Sequence, residues 1–577
     1  GKAAVINNNS ATIESTGDMS INVGQLNNRN MHFATGQVVV GTEQRYYYRP
    51  SVSSPYYSQY DVYISDDNGN IVTNPNQASA DDRLRPEAWN TTYGNYSPVG
   101  TDEEWYYRDV IATTTRSTVT QTDPGKIISG GAMNINLDNG LNDKSQIIAG
   151  GALTITGGSL NNQQATGTEQ TTEHGKVIHT YVSGNDRKFD TFDPSYDYAY
   201  NPTTITLDGI AVQQQNVNAG SGNTVAAHGS TAAGGANGAG QANAITEIYA
   251  TDTTDPTMIR TGGVNTAIPN SSLFSVNPNG NGYLIATDPR FIDASRWLSS
   301  DYMLKALNLD PANIHKRLGD AYYEQKLIKE QIAQLTGRRY LDGQTSDDEQ
   351  YKALMNAGVT FANQYNLRPG IALTPEQIAR LTSDIVWLVE QTVTLPDGTK
   401  TTALVPQVYV RTRPGDITGN GALISGSSVK LNLTGDLNNQ GNIAGRKLVQ
   451  IDANNINNLN GRIGAGADKT ILNAKTDINN IGGTIEANNQ LAAKAGRDVN
   501  VITTTSTATS DGKRTQTSNT GVDRIAGLYV NNPNGLLIVD AGNDVNLKGA
   551  DIITAEGGIT SISAKNDINA GTVGVSS

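Results

Sequence analysis

One short motif recurs about every 20 residues in the last third of the chain. It begins with aspartate, an aliphatic residue and asparagine, and it starts at Asp436, Asp477, Asp498, Asp544 and Asp567. Subtracting these positions gives steps of 41, 21, 46 and 23 residues, which are two periods, one period, a step lengthened by an insertion, and one period. A fixed period of this length is typical of a repeat architecture in which each unit stacks on its neighbour.

A second mark follows each of these predicted strands. An aliphatic residue, two asparagines and a nearby glycine recur at 437–441, 456–461 and 478–483, with weaker copies at 26–28, 141–143 and 160–162. Asparagine and glycine tolerate left-handed backbone angles, so they turn corners between short strands whose alternate apolar side chains point inward. The pattern predicts a mainly β fold, a right-handed parallel β-helix, with roughly six coils in residues 415–577. Asparagines at equivalent corners are expected to stack into hydrogen-bonded ladders.

Composition favours thin, repetitive cores over one thick core. In 577 residues, 37% are hydrophobic, 17% are charged and 60 are glycine. The formal charge of −13 and the lack of a Lys/Arg cluster oppose binding to nucleic acid or to anionic membranes. The chain contains no cysteine, which excludes disulfides and thiolate metal sites.

The repeat is interrupted by segments of other character, and these divide the chain. An Asn68-Gly69 hairpin signal lies in an aromatic, alternating segment, and hardly an aliphatic anchor occurs from 213 to 241. We predict β-helix coils over 1–162 with a Tyr-rich antiparallel excursion at about 38–124, an irregular insertion over 163–287, a helical subdomain plus hairpin over 288–413, and β-helix repeats over 414–577 with a hairpin excursion at about 501–540.

Helix punctuation is confined to the third of these regions. Ser346 with Glu349 fits a capping box, and Thr374 with Gln377 fits a second one. Two apolar stripes have helical spacing. The first is Ile314, Leu318, Ala321, Ile328, Ile332 and Leu335, and the second is Ile378, Leu381, Ile385 and Leu388. These features predict a small bundle of short helices.

Catalytic signatures are missing from the sequence. It has no phosphate-binding loop, dinucleotide fingerprint, nucleophile elbow or zincin helix. The repeated aspartates occur once per coil, which favours a corner role over the carboxylate cluster of a polysaccharide-cleaving β-helix. His174 and His179 are five residues apart on a predicted strand and so face opposite sides, which disfavours a metal site. We therefore expect no enzyme, no metal and no small-molecule cofactor.

Aromatic residues cluster in two places, which are the candidate binding sites. The first cluster includes Tyr46, Tyr47, Tyr48, Tyr56, Tyr57 and Trp105. Tyrosine is enriched in protein interfaces, but cross-strand packing inside a hairpin sheet is the alternative explanation. The second cluster is Phe189, Phe192, Tyr196, Tyr198 and Tyr200, which lies among aspartates in the irregular insertion. Scaffold packing explains it less readily, so 163–287 is the main candidate for partner contact.

The repeats, together with the run from 315 to 339 and the segment 386–390, resemble the filamentous-haemagglutinin-like exoproteins. Within that group the chain is similar to the CdiA effectors of contact-dependent growth inhibition. The resemblance implies a β-helical filament exported by an outer-membrane two-partner secretion transporter. It also implies a central region that recognises an outer-membrane β-barrel protein of a target bacterium before a toxin is delivered.

This resemblance implies a cell-surface, secreted fragment of a larger exoprotein. The family's N-terminal secretion domain and its Val-Glu-Asn-Asn pretoxin mark do not occur in these residues, so no toxin activity is assigned to them. An adhesin that binds host glycans or host proteins is the alternative function. A purely structural spacer is a third possibility, which would leave the insertion at 163–287 without a role.

Overall fold

The computed structural model describes residues 1–49, 57–58, 62–65, 85–90, 95–98, 104–183, 186–207, 212–216, 224–227, 258–269, 273–277, 282–311, 316–341, 343–344, 346–413, 416, 421–512 and 515–575. The predicted turn at Asn68-Gly69 and most of the tract 213–241 lie outside these residues. The first strands in the chain are β1 (Ala3–Asn9), β2 (Thr12–Ser15), β3 (Met19–Arg29), β4 (Ala34–Arg49), β5 (Tyr57–Ser58), β6 (Val62–Ser65), β7 (Arg85–Asn90), β8 (Asn95–Pro98), β9 (Glu104–Gln121) and β10 (Lys126–Ser129).

The middle of the chain contains the helices as well as strands. Its elements are β11 (Met133–Asp143), β12 (Gln146–Ala149), β13 (Ala152–Gln163), β14 (Ala165–Ser183), β15 (Asp186–Ala199), β16 (Thr203–Leu207), β17 (Val212–Asn216), β18 (Thr224–Ala227), β19 (Met258–Gly262), β20 (Phe274–Val276), β21 (Tyr283–Thr287), a 3-10 helix (Ala294–Arg296), α1 (Asp301–Ala306), β22 (Arg317–Gly319), α2 (Ala321–Thr336), α3 (Asp347–Tyr365), α4 (Pro375–Ile378), β23 (Ile385–Thr394) and β24 (Lys400–Arg411).

The last part of the chain consists of short strands. They are β25 (Leu423–Leu433), β26 (Leu437–Asn439), β27 (Asn442–Ala453), β28 (Ile456–Leu459), β29 (Arg462–Ala465), β30 (Lys469–Ala474), β31 (Ile478–Ile481), β32 (Thr484–Ala487), β33 (Gln490–Ala495), β34 (Val499–Ile502), β35 (Thr504–Gly512), β36 (Thr515–Arg524), β37 (Gly527–Val530), β38 (Leu536–Ala541), β39 (Val545–Lys548), β40 (Asp551–Thr554), β41 (Ile559–Ala564) and β42 (Ile568–Gly571).

Twenty-three of these strands form one continuous parallel sheet, which we call the stalk. Each coil has three sides, and each strand pairs in parallel with its equivalent one coil away, as β28 does with β31, β29 with β32 and β30 with β33. Six first-side strands, β26, β28, β31, β34, β39 and β42, follow residue 420. The predicted mainly β fold with a parallel β-helix is confirmed.

The core of the stalk is a set of stacked aliphatic columns. Leu437, Ile456 and Ile478 stack on the first side, and each side chain is at most 1% exposed. Burying one such side chain stabilises the fold by about 1.5–3 kcal/mol before the cost of chain ordering. Each coil therefore depends on the two coils that cover its ends, as in other one-dimensional repeat proteins.

The second asparagine of each Asn-Asn pair points into this core and forms a buried ladder. Each side-chain amide donates to the Oδ1 of the next member at 2.7–2.8 Å. The members are Asn8, Asn28, Asn142, Asn162, Asn439, Asn458 and Asn480. Asn458 Nδ2 also donates to the carbonyl of Gly461 at 2.9 Å, which satisfies a corner carbonyl. The predicted ladder is confirmed.

Glycine follows the Asn-Asn pair because the ladder occupies the space of its side chain. A Cβ on Gly461 would overlap the amides of Asn439 and Asn458, and a Cβ on Gly483 would overlap those of Asn458 and Asn480. The first asparagine of each pair faces outward and forms a second, partly exposed ladder. Its members are Asn161, Asn438, Asn457, Asn479, Asn500, Asn546 and Asn569.

The repeated aspartates hold the corner before each first-side strand. The backbone N–H groups of Asp498, Asp544 and Asp567 donate to the Oδ1 of the aspartate one coil earlier, at 3.2, 3.1 and 3.0 Å. These carboxylates are therefore acceptors for neighbouring coils, which is the corner role that their spacing predicts.

Every excursion from the stalk leaves at one corner, the corner between the first and second sides. At most coils the chain passes directly from the first side to the second. The residue two positions after the inward-facing residue of the first side then usually has a left-handed φ of 48–60°. Examples are Ser10, Lys144, Asn460, Gly482 and Gly549. Where an excursion leaves, the equivalent residues are Asn30, Gln164 and Thr503, and each is buried.

These three polar side chains close the necks of the excursions. Asn30 Nδ2 donates to Thr122 Oγ1 at 2.8 Å. Gln164 bridges the carbonyl of Leu207, at 2.8 Å, and the N–H of Ala422, at 2.5 Å. The Thr503 hydroxyl accepts from the N–H of Ala526 at 3.0 Å. The buried ladder continues across the first two necks, because Asn28 contacts Asn142 and Asn162 contacts Asn439.

The first and second excursions join in one antiparallel sheet, which we call the arm sheet. Its strand order is β15-β14-β9-β4-β5, and β16 also pairs with β14. β4 and β9 come from the first excursion, whereas β14 to β16 come from the second. Residues 165–207 were predicted to be irregular, and the structure corrects this. Their pairing partner β9 belongs to another excursion, so no local pattern reveals the sheet.

The helices pack on a second mixed sheet, and this corrects the prediction of a bundle. Ile385 and Leu388, predicted to lie on a helix, are in β23, and Leu318 is in β22, while Ile314 lies outside the described residues. Residues 385–389 are all buried and rich in β-branched and aromatic side chains, which outweighs their helical spacing. The predicted capping box at Thr374 is complete, and at Ser346 the hydroxyl accepts from the N–H of Glu349 as predicted.

Helix α2 attaches this subdomain to the outside of the stalk. Ala333 packs against Ile148 and Leu423 of the second side. Arg339 forms an ion pair with Glu14 of the stalk at 2.5 Å, and Lys329 contacts the same carboxylate at 3.4 Å. The third excursion is the predicted hairpin, which β35 and β36 form. It is shorter than the predicted range of about 501–540, because β37 and β38 are strands of the stalk.

Candidate recognition surface

The two faces of the arm sheet carry different parts of the aromatic clusters. On one face, Trp105 lies between Tyr48, at a ring distance of 5.7 Å, and Tyr107, at 5.4 Å. Trp105 and Tyr48 are fully buried, and Tyr46 is 4% exposed. Their positions match the packing alternative, in which these rings support the sheet and do not contact a partner.

The opposite face, which we call the aromatic face, is centred on a buried carboxylate. Glu173 of β14 accepts hydrogen bonds from the Tyr47 hydroxyl at 2.6 Å and the Tyr200 hydroxyl at 3.1 Å. Arg45 approaches the same carboxylate at 3.7 Å. Burial, reinforced by nearby Glu173, raises the pKa of Tyr47 well above its usual value, so the phenol stays a donor at neutral pH. Glu173 thus ties the first excursion to the second.

Beside this carboxylate, tyrosines of β15 form a row. Tyr196 and Tyr198 stack at 5.9 Å, and Tyr198 meets Tyr200 edge-on at 4.9 Å. The guanidinium of Arg108 lies 4.6 Å from the centre of the Tyr196 ring. Burial raises the pKa of Tyr196. All three tyrosines are half-buried, so each shows part of its ring to solvent.

The part of the aromatic face farther from the stalk holds a second ring cluster. Tyr106 stacks on His179 at 4.4 Å, Phe192 meets Tyr106 at 5.4 Å, and Tyr181 lies 5.1 Å from His179. His179 Nε2 is 2.9 Å from the Glu104 carboxylate. Phe192 is 48% exposed on this face, whereas Phe189, which is 37% exposed, pairs with Thr180 and points to the opposite face. Large exposed rings that rest on an ordered base are the usual anchors of protein interfaces.

The structure therefore distributes the predicted residues unequally. It brings Tyr47 together with Phe192, Tyr196, Tyr198 and Tyr200 on the aromatic face. Phe189 is exposed in the same strand, β15. Of the other candidates, Tyr57 is in β5, with no described side chain, and Tyr56 lies outside the described residues.

Residues that the sequence did not predict to contact a partner complete the surface. They are Arg108, Glu173, His179 and Tyr181. His179 and Tyr181 are two positions apart on a β-like stretch, and this alternation was the available signal that they share a face. Their aromatic partner Tyr106 lies on a strand more than 70 residues away, which the local sequence does not show.

One buried polar cluster outside the arm sheet is paired internally. A cavity of about 100 Å³ lies where the stalk, the arm root and α2 meet, and it is lined by Lys126, Lys326 and Glu330 among others. Burial opposes ionisation there, but the two lysines together hold the pKa of Glu330 down to about 2. Among the described residues, no group of three His, Cys, Asp or Glu side chains is placed to hold a metal ion.

No described helix is long and apolar enough to span a membrane.

The haemagglutinin repeat family model matches residues 1–42, 71–180, 198–263, 399–482 and 526–571, which is more than half of the chain. No solved structure matches significantly.

Curated relatives are similar to parts of the chain. Toxin CdiA of Yersinia pestis is 35% identical over 44% of this chain and 8% of its own length. The 16S rRNA endonuclease CdiA of Enterobacter cloacae is 31% identical over 46% of this chain and 8% of its own length. A tRNA nuclease CdiA of Yersinia mollaretii is 29% identical over 55% of this chain and 11% of its own length. The aligned part is thus about a tenth or less of each relative. With its stacked coils and these matches, the chain belongs to the haemagglutinin repeat family and is a CdiA-like filamentous haemagglutinin segment.

Proposed function

We propose that this chain is the recognition region of a contact-dependent growth inhibition exoprotein, and that the aromatic face of the arm sheet binds an outer-membrane β-barrel protein of a neighbouring bacterium before toxin delivery. The observation that carries this proposal is the exposed ring of Phe192, which meets Tyr106 edge-on beside an ordered base of stacked rings. The stalk buries its aliphatic columns and offers few comparable anchors.

The surroundings of the rings support recognition of a protein. The rim is acidic, with exposed Glu104 and Asp190. Such groups steer association and set specificity more than they add affinity. The proposed role is non-enzymatic, because the repeated aspartates are corner acceptors and the carboxylate of Glu173 is buried under two tyrosines. Export of the whole protein by a two-partner secretion transporter is part of the same proposal.

The test is binding of the complete 577-residue chain to bacteria lacking single outer-membrane proteins. Binding that disappears with one such protein would identify the receptor. Alanine at Tyr181, Phe192 and Tyr198 together is expected to weaken binding by about tenfold or more, as loss of interface anchors does.

Phe291→Ala is the matched control, since Phe291 is 66% exposed but lies outside the arm sheet. Unchanged binding of the triple variant would overturn this assignment. Binding to host glycans, with none to bacterial cells, would favour the adhesin alternative instead.

A further inference from the structure

The arm sheet has two outer edges, one formed by β15 and the other by β4. They differ in the features that prevent a further strand from pairing with them. β15 contains Lys188, four aspartates and Pro194, and its pairing with β14 is interrupted by a bulge in this region. Charge, proline and bulges are the usual protection of an edge strand. This edge is therefore blocked by its own sequence.

β4 lacks most of this protection. From residue 34 to 43 its outer side has no strand partner among the described residues, since β5 pairs only with Tyr47 and Tyr48. Residues 37–44 are all exposed, and they contain no proline or lysine. The single charge, Glu43, is paired with Arg45. A bulge at Val40 bends the strand but leaves regular pairs with β9 on both sides of it.

The exposed side chains of β4 are also apolar. Val38, Val39 and Val40 are 42%, 62% and 47% exposed. A long, uncharged edge of β-branched residues is a template for a further strand, because its outward N–H and C=O groups are spaced for another backbone. β5 already occupies the far end of this edge in the antiparallel sense.

We propose that the outer edge of β4, over residues 34–43, binds an extended, uncharged segment of the partner protein as an added antiparallel strand. This inference rests on the proposed function and deepens it by naming the form of the partner's segment. The occupant must be an extended polypeptide because only a backbone matches the row of main-chain donors and acceptors. An uncharged segment fits because the edge between Gln37 and Thr42 carries no charge.

The test uses neighbouring proline variants of the complete chain, Thr42→Pro and Glu43→Pro. Thr42 and Glu43 pair with Thr113 and Ala112 of β9 in regular antiparallel register, so their N–H groups point to opposite sides. One variant is expected to weaken the arm sheet itself. The other is expected to keep the sheet folded, by circular dichroism and melting, and to bind target cells about tenfold or more weakly. Thr42→Ala and Glu43→Ala, which keep the N–H groups, are the controls.

A second pair of variants is independent of proline. Val39→Lys places a charge on the edge, whereas Ile111→Lys places one on β9, where Ile111 is 51% exposed but the strand is paired on both sides. We expect Val39→Lys to lose binding and Ile111→Lys to keep it. Equal binding by both lysine variants would overturn the inference.

The outcomes separate this inference from the proposed function. If the folded proline variant binds normally while the Tyr181, Phe192 and Tyr198 alanine variant does not, the proposed function stands and the edge inference fails. If both bind normally, both fail. If sedimentation shows a dimer of the chain that Val39→Lys dissociates, the occupant is a second copy and the inference is wrong.

Discussion

In the stalk, a residue usually stacks on a residue of its own kind one coil away, as Asn439 does on Asn458 and Ile463 on Ile485. In the arm sheet, contacts join unlike residues from two excursions, as when Glu173 of β14 accepts from Tyr47 of β4. The stalk is therefore specified by repetition, and a change at one coil is expected to act mainly on adjacent coils. The arm sheet requires both excursions at once.

The largest expected effect is on the arm sheet. Trp105→Ala removes a fully buried indole from between Tyr48 and Tyr107 and is expected to cost about 3–5 kcal/mol. Amide hydrogen exchange should accelerate in β4, β9 and β14 while β28 to β33 stay protected. Phe192→Ala, at a half-exposed ring, is the control with little expected change in stability. Equal loss of protection in the stalk would contradict the separation of the two regions.

The next effect compares the two asparagine ladders within one coil. Asn458→Ala removes the acceptor of the Asn439 amide and leaves the buried Oδ1 of Asn480 without its ladder donor, and is expected to cost about 2–3 kcal/mol. Asn457→Ala, in the partly exposed ladder, is expected to cost less than about 1 kcal/mol because water replaces the lost bonds. The two variants are compared by the free energy of unfolding in urea and by amide hydrogen exchange at β28 and β31. Equal costs would show that burial of the ladder is unimportant.

The helical subdomain adds a pH-dependent case that the stalk's neutral ladder lacks. Burial raises the pKa of Glu324 to about 7, although Ser300 and the Tyr351 hydroxyl donate to the carboxylate and Arg317 is near. The folded state thus holds this proton more tightly than an unfolded chain, whose glutamate pKa is about 4.3. The stabilisation is present below pH about 4.3 and is lost as pH rises through about 7.

Between pH 5 and 8 we expect the subdomain to lose about 1–3 kcal/mol from this carboxyl group. Glu324→Gln should flatten the dependence, as measured by melting at several pH values. Asp416, whose pKa burial raises to about 6, acts in the same direction and leaves a residual slope. An unchanged slope in the Gln variant would contradict the assignment.

The smallest expected effect is at the junction of stalk and excursion. Gln164→Ala removes bonds to Leu207 and Ala422 and is expected to cost about 1–2 kcal/mol, with exchange accelerating at β16 and the start of β25. Gln164→Glu keeps the acceptor for the N–H of Ala422 and loses only the donor. If neither variant changes exchange at the neck, the side chain does not hold it closed.

The sequence by itself determined the stalk. Its period, the Asn-Asn-Gly corners and the inward aliphatic residues are local patterns, and each coil finds its partner one period away, so the ladders and the corner role of the aspartates followed directly. The two capping boxes were equally local, with donor and acceptor three residues apart.

Only the tertiary structure decided the arm sheet and the candidate surface. β14 pairs with β9 because both excursions leave the same corner of the stalk two coils apart, and no pattern within 163–207 contains that information. The same limit applies to residues 385–389, where apolar spacing fitted a helix but burial on a sheet under α3 made a strand. Which rings are buried and which are exposed depends on partners distant in sequence, and therefore on packing.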